Sequence, residues 1–252
     1  MGIWIVAMAT MAGVSGVYGT ALAAEITILT SQGVLSAVKD LAPAFERATG
    51  HKVIVSFDSA PAFNNKIDSN APADLIAQGS NAVDELFRKG KVVPGSRVDF
   101  ARAGIGVAVK AGAPKPDIST PEAFKRALLA ARSIAYSKTG FSGVSTAKAI
   151  ERLGIAEELK SKTKLVEGVP VAKIVADGEA EIGMQQINVL LPVAGADYVG
   201  PLPGDLQAYI PFAAGLLVIS KEPEAAKAFM TFMAAPENAA LIRKGGMEAV
   251  AR

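Results

Sequence analysis

The chain has 252 residues, with 26 Lys and Arg against 24 Asp and Glu, one His, one Trp and no Cys. The absence of cysteine excludes disulfide scaffolds, iron–sulfur clusters and zinc ribbons, and a single imidazole excludes sites that need two, so any catalytic triad would have to use His51. The nearly balanced charge comes without a basic run or interleaved aromatics, so no nucleic-acid partner is expected.

Residues 1–24 carry no charged side chain, and the apolar or small stretch 3–19 leads to Ala21-Leu22-Ala23, an ending that signal peptidase accepts. Cleavage after Ala23 is expected, which makes residues 1–23 a signal peptide and the mature protein periplasmic. An uncleaved anchor is the competing reading, because no Lys or Arg precedes the apolar run. Against it, Gly, Ala, Thr and Ser recur too often for a lipid-facing helix. Trp4 leaves with the signal, so the mature chain is expected to contain no tryptophan.

Strand and helix then alternate. Residues 26–29 form a β-rich run, a Ser31-Gln32-Gly33 turn follows, and Val34, Leu35, Val38, Leu41 and Phe45 recur at helical spacing until Gly50. Strand 53–57, helix 60–69, strand 74–77 and helix 83–89, stopped by Gly90, complete a βαβαβα run, hence a parallel sheet covered on both faces. The apolar runs 104–109 and 213–219 are too short for membrane spans and fit buried strands. Between them come helix 121–131, strand 133–136, helix 143–153, strand 164–167, helix 170–177 and strand 182–185, and the tail 222–244 forms two helices broken at Pro236. Two α/β units joined by two extended crossings imply one lobe from residues 24–103 and 214–252 and a second from 104–213. A ligand cleft would lie between them at the carboxyl ends of the strands. A single doubly wound domain is the alternative.

The residues that follow each strand are therefore the candidates. Ser31-Gln32-Gly33, Asp58-Ser59-Ala60-Pro61, Gly140-Phe141-Ser142-Gly143 and Gly168-Val169-Pro170 place small or hydroxyl residues ahead of a helix, where backbone N–H groups point outward and favour an anion. Taken singly, Ser31, Ser59 and Ser142 fit a role as N-caps equally well. Gln185-Gln186 close a strand where an apolar pattern would otherwise continue, and amides can donate to a carboxylate without burying a charge. Lys138, two residues beyond Tyr136, is a candidate counter-charge, and Gln78-Gly79-Ser80 is a similar strand end.

Other motifs fail. Gly104-Ile105-Gly106 lacks the third glycine of a dinucleotide fingerprint, and neither a G-K-[ST] phosphate loop nor a G-x-S-x-G elbow occurs. Asp177, Glu179 and Glu181 alternate around Gly178 as a turn rather than a calcium loop. His51, just after the helix-ending Gly50, fits a solvated edge position. No metal ion or other cofactor is expected.

Four stretches, Ile26-Thr27-Ile28, Asn70-Ala71-Pro72-Ala73-Asp74-Leu75, Ala147-Lys148-Ala149-Ile150-Glu151-Arg152-Leu153-Gly154 and Gly178-Glu179-Ala180-Glu181-Ile182-Gly183, carry a resemblance that extends over the whole mature chain. The chain resembles the type II periplasmic solute-binding proteins of ABC transporters, and among them the molybdate-binding family. The resemblance implies an α/β, two-lobed fold, each lobe a mostly parallel sheet flanked by helices, joined by two crossover hinge strands. It also implies an oxyanion held in the cleft by hydroxyls and backbone amides.

The family's ligand side chains do not carry over. Gly33 stands where its first loop has a serine, Ala60 replaces the serine of the second loop, and Gln186 falls on its binding tyrosine. Ser142, beside Gly143, and Val169 fall near its backbone-donating positions. A kept frame with a changed ligand implies a small organic anion, more a di- or tricarboxylate than molybdate or tungstate, carried by a monomer to an ABC permease. The aconitate isomerases, relatives of the same build, imply the alternative: a 1,3-proton shift between trans- and cis-aconitate in the same cleft. Its base would be Asp58, Lys138 or Tyr136.

Overall fold

The computed structural model describes residues 23–57 and 60–250; the expected signal segment with Trp4, and Asp58 and Ser59 of the second loop, lie outside the described residues. Strand β1 (Glu25–Thr30) buries Ile26, Ile28 and Leu29 and pairs in parallel with β2 (Lys52–Phe57) and with β3 (Leu75–Gly79). Between them runs α1 (Leu35–Thr49), whose Ala37, Val38, Leu41, Ala42 and Phe45 form the buried stripe that its periodicity requires. Gly50 ends this helix in the left-handed region at φ 79°, its N–H bonded to the Glu46 carbonyl at 2.9 Å. Helices α2 (Ala60–Asp68) and α3 (Ser80–Arg88) follow β2 and β3.

The second unit repeats the alternation. Helix α4 (Pro121–Ala130), capped by the Thr120 hydroxyl, leads to β5 (Ile134–Ser137), α5 (Gly140–Arg152), α6 (Ala156–Lys160), β6 (Thr163–Val166), α7 (Val171–Ala176) and β7 (Ile182–Gln186). Strands β6, β5 and β7 are parallel neighbours. After β7 come α8 (Ile187–Leu190), the strand β8 (Ala196–Pro201), β9 (Tyr209–Leu216), α9 (Pro223–Met233), α10 (Ala239–Lys244) and the short β10 (Glu248–Ala249).

Both parallel sets end against antiparallel strands, so the sheet is mixed, in the order β2-β1-β3-β9-β4-β7-β5-β6, with β4 spanning Val98–Lys110. From Val98 to Gly104, β4 pairs with β9; from Ile105 to Val109 it pairs with β7. One strand thus serves two half-sheets. It starts six residues earlier than its apolar run because Asp99 and Arg102 interrupt the pattern, and Arg102 faces outward to Glu248 at 2.6 Å. Strand β9 begins at Tyr209 rather than 213, and Leu217 has already left the ladder for an isolated bridge to Val92.

The residue at which β4 changes partners is held by a side chain from the other crossing. Gln207 accepts from the Ile105 N–H at 2.8 Å and donates to the Ile105 carbonyl at 3.0 Å. Gly104 makes this approach possible, since a Cβ there would lie 2.9 Å from the Gln207 amide nitrogen. Leu202 N–H adds a bond to the same carbonyl at 3.0 Å.

Asp74 joins three elements of the first half. Its carboxylate accepts from the Thr27 N–H at 2.8 Å, the Ser220 hydroxyl at 2.8 Å, and the N–H groups of Lys221 and Glu222 at 2.9 and 3.1 Å, at the start of α9. Burial alone would push this carboxyl up, but the donors from Thr27, Glu222, Ser220 and Lys221 together hold it below its ordinary value. Among the described residues no helix is long and apolar enough to cross a membrane.

Candidate functional site

Parallel strands bring their carboxyl ends to one edge, and the molecule has two such edges, one from β1, β2 and β3 and one from β5, β6 and β7. The edges face each other. Gly33, three residues after β1, lies beside the end of β7: a Cβ on it would stand 3.4 Å from Gln186 Nε2. The Gly33 carbonyl accepts from Asn188 Nδ2 at 2.7 Å. Gly79, which closes β3, lies under the Phe141 ring of α5, 3.0 Å from where its Cβ would be.

The first loop is fastened from below. Ser31 donates its N–H to the Ala77 carbonyl at 3.4 Å and accepts the Val34 N–H at 3.2 Å, leaving Ser31 and Gly33 half-buried and Gln32 exposed. Gln78 is half-buried in β3, paired with Ala213. Ala60 opens α2.

On the second edge the small residues are needed for packing. Gly143 lies in the first turn of α5 where a Cβ would fall 2.2 Å from the Ser137 carbonyl oxygen, so only glycine lets the helix approach β5 this closely. The buried Ser142 hydroxyl donates to Ser137 Oγ at 3.3 Å. Gln185, expected as a ligand contact, is committed within its own half: Nε2 donates to Ser137 Oγ at 3.2 Å, and Oε1 accepts the Val171 N–H at 2.8 Å, capping α7. Val169 is exposed beyond Gly168, which turns at φ 79°. Lys138 pairs with Glu167 at 3.2 Å, both side chains more than half exposed.

The three residues expected as a base are separated by their surroundings. Asp58 lies outside the described residues. Tyr136 is half-buried, and burial, with the Glu151 carboxylate adding to it, pushes its phenol above the ordinary value, so it keeps its proton at neutral pH and is suited to donate rather than abstract. Lys138 is held by Glu167. His51 sits at the far end of β2, where its Nδ1 accepts the Ala24 N–H at 3.0 Å and its ring stacks on Phe45.

Three residues at this junction escape a reading of the sequence: Asn188, Phe141 and Phe212. Asn188 is 2% exposed in the short helix after Gln186, with its Nδ2 on Gly33 and its Oδ1 unpartnered. Phe141 lies in the first turn of α5, in a segment notable in sequence for its small residues, and Phe212, within β9, directly precedes the apolar run 213–219. A concavity of about 560 Å³ between residues 115–119 and 199–204 shares no residue with either edge.

Two α/β halves, with strand ends opposed across a junction and a double crossing behind it, define a two-lobed α/β fold of the kind that places a binding site between its lobes. The chain belongs to the family of bacterial extracellular solute-binding proteins, whose model matches residues 26–248. It is 36% identical over 231 residues to an aconitate isomerase of Pseudomonas sp, covering 89% of this chain and 88% of that one. It is 31% identical over 235 residues to the molybdate-binding protein ModA of Azotobacter vinelandii, covering 90% of each. The solved periplasmic molybdate-binding protein of Azotobacter vinelandii superposes with a TM-score of 0.73 at 23% identity, over 90% of this chain and 99% of that one. The fold is that of the periplasmic binding proteins.

Proposed function

We propose that the protein is a periplasmic receptor that closes its lobes, residues 24–103 with 214–252 and residues 104–213, on a small di- or tricarboxylate and presents it to an ABC-type permease. The observation that carries this reading is the amide of Gln186 beside Gly33, at the point where the two edges meet. An amide can donate to a carboxylate from either lobe position without a buried charge. A tetrahedral oxyanion needs a dense shell of donors, and at Gly33 there is no hydroxyl to contribute one. Closure shifts the population toward the form in which both edges touch the ligand, driven by its higher affinity for that form.

A second reading is favoured by the 36% identity to an aconitate isomerase: a proton shift on the same bound anion. Both readings are tested on one sample by following trans-aconitate with proton NMR in the presence of the mature protein. Saturation transfer without new signals supports the receptor, cis-aconitate signals support the isomerase, and neither removes aconitate from consideration. Gln186→Tyr is expected to weaken binding at least tenfold, as the larger ring meets Gly33; unchanged affinity would remove Gln186 from the site. Lys138→Ala is expected to leave stability within about 0.5 kcal/mol, since its ion pair is exposed, while lowering affinity for a trianion more than for a monoanion in calorimetric titrations. Equal losses would argue against a direct charge contact.

A further inference from the structure

Neither Gly33 nor Gly79 has a positive φ, so backbone conformation does not require glycine at these two strand ends. Their neighbours do. A Cβ on Gly33 would meet the Phe212 ring at 2.9 and 3.1 Å, and a Cβ on Gly79 would meet the Phe141 ring at 3.0 Å. Phe212 pairs with Gly79 in the β3–β9 register, so the two glycines and the two rings form one patch at the end of β3. Phe212 is 2% exposed and stands in β9 against β3, whereas Phe141 is 46% exposed and reaches over Gly79 from α5. Each ring crowds the space in which a side chain at the glycine would begin, and the Gln186 amide stands 3.4 Å from the same position at Gly33.

We infer that Phe141 and Phe212 are specificity-determining residues of the cleft: the exposed Phe141 ring gives the ligand chamber an apolar wall and the buried Phe212 ring backs Gly33 beside it, an arrangement that selects an anion with a carbon frame against a bare tetrahedral oxyanion. The inference rests on the reading that the ligand lies between the two edges. An aromatic face rewards contact with hydrocarbon and offers nothing to an oxygen that seeks a donor. Gly33→Ser alone would restore a hydroxyl at position 33 only by displacing the Phe212 ring, which lies 2.9 Å from the new Cβ.

The test is calorimetric titration of the mature protein with trans-aconitate and with molybdate, for wild type, Phe141→Ala and Phe141→Leu. The exposure of Phe141 makes both variants compatible with folding, and Phe212→Leu, checked by its thermal melt, probes the buried wall. Phe141→Ala is expected to lose about tenfold in affinity for trans-aconitate, Phe141→Leu to recover part of that loss, and neither to weaken molybdate. Phe212→Leu is expected to narrow the preference for trans-aconitate over molybdate. A Phe141→Ala protein that keeps its affinity for trans-aconitate, or loses affinity for both probes equally, overturns the inference and leaves the functional reading intact. Wild-type protein that prefers molybdate overturns both, and wild-type protein that binds neither probe overturns the inference and removes aconitate from the functional reading.

Discussion

Gly143→Ala is expected to destabilise the protein by about 3 kcal/mol, the upper range for forcing a methyl into a closed contact. The Cβ would lie 2.2 Å from the Ser137 carbonyl oxygen, a backbone atom that cannot rotate away, so α5 must lift from β5. Lifting also displaces Ser142 from Ser137 and Phe141 from Gly79, so affinity for the cleft ligand should fall with stability. Gly50→Ala is the control. There the cost is conformational, about 1 kcal/mol for a left-handed residue with open space around it, and ligand affinity should not change. Urea unfolding with an unchanged slope would read both differences, and a Gly143→Ala midpoint equal to wild type would refute the close packing of α5 on β5.

Asp74→Asn is expected to cost about 3 kcal/mol at neutral pH, because either placement of the new NH₂ group faces an N–H donor where an acceptor is needed. The effect has a signature in pH. The folded carboxyl lies below its ordinary value, so its contribution is fully present above the unfolded carboxyl's pKa, about 3.9, and is lost as pH falls through the folded value. The gap between wild type and variant should therefore be widest at pH 7 and shrink below about pH 4. A gap constant with pH would mean that Asp74 acts by shape and not as a carboxylate.

The sequence motif containing Asp74 resembles a family signature, and its structural meaning is now visible: it fastens β1 to the start of α9. Most strands and helices are legible because their apolar residues recur with the period of the element. The exceptions have physical causes. Ile187–Leu190 is one turn, too short for a period of 3.6 to register, and Ala196–Pro201 is a half-buried strand ending in Gly200 and Pro201, without alternation. The candidate site is legible as a set of strand ends, since small residues before helices mark such ends in any α/β sheet. What crosses between the ends is not. Gly33 is a turn residue until Phe212, from the opposite end of the chain, is known to fill the space beside it. Gln185 and Gln186 are equivalent in sequence, and only the Val171 N–H and the Ser137 hydroxyl distinguish the amide that braces α7 from the one that faces Gly33.

The pairing of Gln207 with Ile105 imitates a rung of β-ladder with a side chain in place of a strand. A rung of that kind makes the two crossings one ribbon, because neither can slide or twist without breaking two hydrogen bonds to the other. Ribbons bend readily across their face and resist shear within it. In the proposed receptor such a ribbon would leave the lobes a single soft direction, so that each opening of the cleft would return Gly33 to the same amide and Gly79 to the same ring.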